Sequence, residues 1–504
     1  MSRVRISQLK IGAILSYLTI AFNIAAGLLY TPWMIEQIGQ SDYGLHTLAN
    51  SLITLVLVDF GLGAATSRFI AKYRVENDAT AAQRFLSAVY KLYFLLDVVI
   101  LISLLIVYCF VDKIYVNLSS AELEKFKVVF CIAGFYSLVS FPCANFQGVL
   151  IAYEQYIPLK VSSLISKIGT VAFTVFALMQ GMGLYALVIV NATWGLISIM
   201  FQYIYVRKCI KFGFVKNTAT EYREIFTFSL WTTVSAIASR LVFNITPTII
   251  GITVTAATSA IAVFGIVTTI EGYFFTITTA INGMFLPRIT KIIQDDDDGA
   301  KLTSLSVKLG RYQFALNGLM ILGFFLIGKE FILMWMGETY IDAYYGILLV
   351  ILPGLFYNAL QVPVTTLVVM NLVNYQAWVQ VATGVCNVIL SFVFSYYWGV
   401  IGSALSICLS YILRTVLILI VIRRKTNISL KTFINNTYLK MSLPILVSLI
   451  VCIPLNQYMP VTSWMTFCMK GMLIVAVYAV TLLIIGLTRD ERSNIFRMLI
   501  KRGR

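Results

Sequence analysis

Only Ser103 interrupts the run of apolar and aromatic side chains from Val98 to Val111. A second run, Leu413 to Ile422, is broken only by Arg414 and Thr415. A helix needs about 20 mainly apolar residues to span a bilayer, and the 504-residue chain offers about fourteen such segments. They run approximately over 11–33, 43–65, 85–111, 127–151, 157–179, 183–206, 225–253, 257–286, 306–328, 345–369, 374–397, 399–422, 438–456 and 465–487. In lipid only helices and closed barrels satisfy the backbone. Barrel strands alternate polar and apolar residues, and these runs do not. Charged residues make up 12% of the chain, half of the ~25% usual in soluble domains. The sequence predicts an all-α integral membrane protein with about 14 transmembrane helices.

The net charge of +16 does not mark a nucleic-acid surface, because the cations are segregated. On these spans one side carries Arg3, Arg5, Lys10, Arg68, Lys72, Arg74, Arg84, Arg207, Lys208, Lys211, Lys216, Arg223, Arg288, Lys291, Lys301 and Lys308. The same side carries Arg423, Arg424, Lys425, Lys431, Lys440 and the tail Arg489, Arg492, Arg497, Lys501, Arg502 and Arg504. The other side has Lys113, Lys125, Lys127 and Lys329 among more numerous acids. The positive-inside rule then places both termini in the cytoplasm. The first apolar segment is too long for a signal-peptide core and is read as helix 1. Eight cysteines without paired spacing read as packing residues. His46 is the only histidine, so a zinc site or histidine triad has too few ligands.

The chain matches itself weakly at an offset of about 220 residues. Tyr43-Gly44-Leu45 corresponds to Phe264-Gly265-Ile266, Pro142 to Pro363, and Gly181 with Ala186-Leu187 to Gly399 with Ala404-Leu405. The expected organisation is an N-terminal lobe over 1–215, a C-terminal lobe over 216–425, and two further helices with a basic tail over 426–504. Six helices per lobe give both halves the same orientation, a parallel pseudo-twofold repeat.

With this organisation go Asp42-Tyr43-Gly44, Asp59-Phe60-Gly61-Leu62-Gly63 and Arg68-Phe69-Ile70-Ala71-Lys72-Tyr73, at the two ends of the second span. Together they resemble the multidrug/oligosaccharidyl-lipid/polysaccharide exporter superfamily over roughly residues 5–425, and within it Wzx-type flippases. The resemblance implies two six-helix lobes around a cavity lined by helices 1, 2, 7 and 8. It also implies a bacterial inner-membrane protein that moves polyprenyl-diphosphate-linked repeat units for O-antigen or capsule synthesis. A complex with the polymerase machinery is a further expectation. No cofactor is implied, and an H+ or Na+ gradient is an open energy source. Lipid II flippases resemble this chain too, but they typically place an arginine in helix 1, and residues 11–33 contain none.

Charges at a helix centre cost about 2.5–3.5 kcal/mol on insertion scales, so they usually face a cavity or a partner. At about 100° per residue, Lys160, Ser163, Lys167, Thr170 and Thr174 form one polar stripe. Gln380, Thr383 and Asn387 form its counterpart in the second half. Ser16, Thr19 and Asn23 on helix 1 have Arg240 and Asn244 on its repeat partner, helix 7, and Thr47, Asn50 and Thr54 on helix 2 correspond to Thr268 and Glu271, with Thr278 and Asn282 further along. These stripes predict a shared wet surface, with Arg240, Lys167, Glu271, Asn23, Asn50, Asn244, Asn387 and Lys160 as candidate substrate-binding residues. Each has a structural alternative. Lys160 stands near a helix end, where it can snorkel, as can Lys91, Arg311 and Lys470. Glu271 either serves the cavity or pairs with Arg240. Arg414 lies mid-helix without an obvious polar face. Asp97 shares a stripe with Tyr90 and Tyr93, whose hydroxyls can satisfy it. Asp59, nine residues after Asn50, points away from the helix 2 stripe. Asp59 and Asp97 are therefore expected to act in packing or gating.

Two motifs fail on inspection. Gly323 to Gly328-Lys329 has Walker spacing, but Glu330 occupies the Mg²⁺-binding hydroxyl position. The Asp295–Asp298 run beside Gly299 reads as a solvated linker. Three functions then compete. A flippase for lipid-linked oligosaccharide needs cations for the diphosphate and hydrogen-bonding side chains for the sugars. Arg240 and Lys167 suit the first role; Asn23, Asn50, Thr268, Asn244, Gln380 and Asn387 suit the second. A drug or organic-cation antiporter needs carboxylates, and Glu271 is the lone acid on the stripes. A membrane polymerase or ligase needs catalytic groups on a large outer loop, and the outer loops near 112–126 and 329–344 are short.

Overall fold

The computed structural model describes residues 2–210, 213, 215, 219–280, 286–294, 299–488 and 491–492. Lys211, Lys216, Asn282, the Asp295–Asp298 run and the tail cations Arg489, Arg497, Lys501, Arg502 and Arg504 lie outside the described residues. Among the described residues all regular secondary structure is helical. The chain divides into two units, one of residues 1–265 with 388–399, the other of 266–387 with 400–504.

The first unit holds α1 (Ser2–Ile38), α2 (Gln40–Val56), α3 (Leu62–Val75), α4 (Ala79–Ile114), α5 (Ser120–Ser140), α6 (Asn145–Ala152), α7 (Tyr156–Met179), α8 (Gly183–Cys209), α9 (Ala219–Phe243) and α10 (Thr246–Thr253), and the first part of α11 (Ala257–Thr279). α7 packs on α1 and α8, and α5 packs on α2 and α8. α5 starts at a capping box in which Ser119 and Glu122 each bond the other's backbone N–H, which satisfies donors that a helix start leaves open. The Glu122 carboxylate also accepts from Ser41 (2.7 Å) and Thr258 (2.8 Å), tying the start of α5 to those of α2 and α11. α5 ends at Pro142, where a 3₁₀ turn leads into α6 at a 45° bend. Proline has no N–H to continue the helical ladder.

The second unit holds the remainder of α11, α12 (Leu286–Gln294), α13 (Gly299–Met336), α14 (Ile341–Ile351), α15 (Gly354–Asn358), α16 (Gln361–Val369), most of α17 (Val373–Lys425), α18 (Leu430–Phe433), α19 (Lys440–Tyr458) and α20 (Trp464–Thr481). α13 packs on α14, α19 and α20. Leu322, Leu326, Ile327, Cys452, Ile474 and Tyr478 form an apolar core on α13, α19 and α20.

The succession of elements recurs along the chain. Long α4, broken α5–α6, then α7 and α8 flanking Gly181 (φ 74°) are followed by long α13, broken α14–α16, then the two halves of α17 flanking Gly399 (φ 55°). At Gly399 the backbone (φ 55°, ψ −130°) leaves the helical region and divides α17 into two helices; side chains with a Cβ rarely adopt such a conformation.

Among the described residues eleven helices are long and apolar enough to cross a membrane, or twelve if α5 and α6 count as one bent span. The count expected from sequence was about fourteen, and the difference lies at breaks. The expected span 43–65 is divided into 17-residue α2 and separate α3. The expected spans 374–397 and 399–422 are the two helices that meet at Gly399 within α17, which enters that count as one.

A polar cavity in the first unit

A cavity of about 750 Å³ opens among α1, α2, α5, α6, α7 and α8. Helical spacing builds each of its walls. Thr19 and Asn23 are one turn apart on α1, as are His46 and Asn50 on α2 and Tyr136 and Ser140 on α5. Ser163, Lys167 and Thr170 share a face of α7, and Asn191, Ser198 and Gln202 share a face of α8. Gln147 on α6 completes the lining. At Gly195 on α8 a Cβ would collide with the Tyr136 hydroxyl, so glycine there gives the ring its place in the wall.

Most of the polar groups are oriented by short hydrogen bonds. Asn50 donates to His46 Nε2 (3.0 Å), Gln202 to Ser162 Oγ (3.1 Å), Asn191 to the Leu187 carbonyl (2.9 Å) and Ser166 to the Trp194 carbonyl (3.2 Å). Lys167 is half-buried and makes no hydrogen bond or ion pair among the described residues. Among the described residues the lining contains no Asp or Glu, and Lys167 is its only formal charge. Asn23 Oδ1 is buried without a hydrogen-bond partner. Chemically, the cavity combines one ammonium with many amide and hydroxyl groups, a surface that can pair an anion and bond to hydroxyl-rich matter.

Of the residues expected from sequence, Asn23, Asn50 and Lys167 come together here. Lys160, two turns before Lys167 on α7, is half-buried and stands outside the lining. Arg240 is near the end of α9, its carbonyl accepting from the backbone N–H of Asn244 (3.1 Å). Arg240 Nη1 is buried without a hydrogen bond, and Asp59 lies close enough for the two charges to interact. The helical-wheel placement of Asp59 assumed an unbroken helix. The chain instead breaks between α2 and α3, with Phe60 at φ 53°, and Asp59 Oδ1 accepts from the Gly61 N–H (3.0 Å).

Elsewhere the expected polar face is a packing surface. In the second unit Asn387 is fully buried, and its Oδ1 accepts from Ser406 (3.2 Å), while Thr383 is 2% exposed and donates to the Val379 carbonyl (2.8 Å). Glu271 on α11 lies within electrostatic reach of Tyr411. Arg414 stacks over Tyr357 at 4.1 Å and donates to its hydroxyl at 2.8 Å, so aromatic rings supply the partner that polar spacing did not reveal. Asp97 Oδ1 is buried without a hydrogen bond, so the hydroxyls of Tyr90 and Tyr93 do not satisfy it. Lys470 does not snorkel: it is 1% exposed and its Nζ has no hydrogen-bond partner among the described residues. Lys91 donates to the Val215 carbonyl (2.9 Å), and Arg311 is buried in an ion pair with Glu491 (2.7 Å).

Residues 10–293 match the family described as polysaccharide biosynthesis protein, more than half of the chain. The chain belongs to the polysaccharide biosynthesis protein family. No curated protein matches it. Among solved structures it is similar to the lipid II flippase MurJ in an inward closed conformation, with a TM-score of 0.72 and 15% identity over 97% of this chain and 99% of that one. An inward-facing multidrug resistance MATE family transporter of the MOP superfamily gives 0.66 at 11% identity, over 82% and 98%. A MOP superfamily transporter from Pyrococcus furiosus, described as having a binding pocket of reverse polarity, gives 0.60 at 11% identity, over 84% and 95%. At these identities the likeness is one of fold.

The α8 and α5 walls were missed in the sequence. Asn191, Ser198 and Gln202, at i, i+7 and i+11, carry the same periodic signal as the α7 stripe and lie in a segment whose other residues are mainly apolar.

Proposed function

We propose that this protein is a flippase that moves polyprenyl-diphosphate-linked oligosaccharide units across the bacterial inner membrane, with both termini in the cytoplasm, for O-antigen or capsule synthesis. The observation that carries the reading is the cavity with Lys167 as its single charge and amides and hydroxyls on every wall. A diphosphate cannot leave water unpaired, and a lysine ammonium pairs it as a point charge. Asn23, Asn50, Asn191 and Gln202 offer the donors and acceptors that sugar hydroxyls need. The prenyl tail stays in lipid while the head group crosses by alternating access, as in other repeat-built transporters. Family membership and the fold shared with a lipid II flippase support the same class of cargo. An organic cation would meet a cavity whose only charge repels it.

In this reading Arg240 and Glu271 serve the path outside the cavity, Asp59 tempers the charge of Arg240, an H+ or Na+ gradient drives the cycle, and the polymerase machinery takes the product. The test is complementation of a strain lacking the gene. Lys167→Ala is expected to reduce surface polysaccharide at least tenfold at unchanged membrane abundance, and Lys167→Arg to retain most of it. Full output from Lys167→Ala would refute the assignment.

A further inference from the structure

A second cavity, of about 820 Å³, lies within the second unit, between the start of α13, the segment from Asn427 to Lys440 and the chain just after α20. Its floor is Arg311, which is 3% exposed. The guanidinium donates to both carboxylate oxygens of Glu491 (3.0 and 2.7 Å) and to the Asn436 carbonyl (3.0 Å). Glu491 therefore cancels Arg311, and together they hold the chain after α20 as one wall. Two further cations line the cavity. Lys308 is exposed, lies one turn before Arg311 on the same face of α13, and makes no ion pair or hydrogen bond among the described residues. Lys440 is exposed and rests on Asn436 Oδ1 (2.7 Å). Among the described residues Glu491 is the only carboxylate of the lining, and the ammonium groups of Lys308 and Lys440 stand beside the hydroxyls of Ser304 and Thr432.

We propose that this cavity is a binding site for a phosphate-bearing anion of the kind an acidic phospholipid presents at its headgroup. Two ammonium groups on neighbouring helices match a phosphate's charge, and the adjacent hydroxyls donate to its oxygens. The site is on the face that the positive-inside count assigns to the cytoplasm, where basic pockets between transmembrane helices take anionic headgroups. It shares no residue with the first-unit cavity and does not depend on what the protein transports.

The test uses the purified full-length chain in detergent, with thermal unfolding and native mass spectrometry as readouts. Phosphatidylglycerol is expected to bind and raise the unfolding temperature, and phosphatidylcholine to do neither. Lys308→Ala with Lys440→Ala is expected to weaken phosphatidylglycerol binding at least tenfold, and the paired arginine substitutions to preserve it. Millimolar inorganic phosphate that displaces the lipid would assign the site to phosphate from either source; failure to displace it would assign the site to the lipid. Equal stabilisation by both lipids, or unchanged phosphatidylglycerol binding in the double alanine variant, would overturn the proposal.

Discussion

Arg311 and Glu491, 180 positions apart in sequence, meet through two hydrogen bonds of 3.0 and 2.7 Å, with side chains only 4% and 12% exposed. Removing one partner of such a buried pair leaves an uncompensated charge, at a cost of about 3–5 kcal/mol. Glu491→Ala should therefore lower the unfolding temperature of the purified protein clearly, and Arg311→Met combined with Glu491→Ala should recover part of the loss. Additive losses in the double variant would contradict a direct pairing.

The same pair predicts a pH dependence. Burial pushes the Glu491 carboxyl up, but hydrogen bonds from Arg311 and Thr488 and the Arg311 charge outweigh it and hold it below the ordinary carboxylate range. A group depressed in the folded state stabilises fully above its unfolded pKa, about 4.3, and the contribution disappears as pH falls through the folded value. Thermal melts of the wild type should thus lose stability on acidification below that point. Glu491→Gln should lack this component, and parallel pH profiles would rule it out.

Single-cysteine variants on a cysteine-free background give a map of hydration. Cysteines replacing Asn23 and Asn50 should react with a small hydrophilic thiol reagent, since both positions line the cavity. A cysteine replacing Asn387 should react at least tenfold more slowly, because that site is fully buried against Ser406. Equal rates at all three would show that the cavity walls are wrongly drawn.

Gly399 breaks α17 with φ 55° and ψ −130°. A residue with a Cβ in such a region costs of order 1–3 kcal/mol. Gly399→Ala should lower the unfolding temperature, whereas Gly323→Ala, where a Cβ meets nothing within 4 Å, should be far milder.

Membrane class follows from apolar runs such as Val98 to Val111, because lipid leaves the backbone only helix or barrel. The α7 stripe around Lys167 was legible because its polar residues share one helical face. Periodicity marks a polar face but not what covers it: the Asn387 stripe obeys the same spacing and is buried against Ser406. The helical-wheel argument does not reach Asp59, because rotation per residue has meaning only along an unbroken helix and the chain unwinds at Leu57–Gly61; Asp59 stands outside the cavity lining all the same. Arg311 was read as a snorkelling side chain because its partner, Glu491, is remote in sequence.

On the proposed function, Lys167 receives an anionic lipid-linked glycan. Reconstitution into liposomes carrying a fluorescent polyprenyl-diphosphate oligosaccharide measures it most directly, as the rate at which label becomes accessible to a membrane-impermeant quencher. The wild type should accelerate exchange over empty liposomes, Lys167→Ala should lose at least nine-tenths of that acceleration, and Lys167→Arg should keep most of it. Wild-type rates from Lys167→Ala, or transport of an organic cation in place of the glycan, would contradict the account.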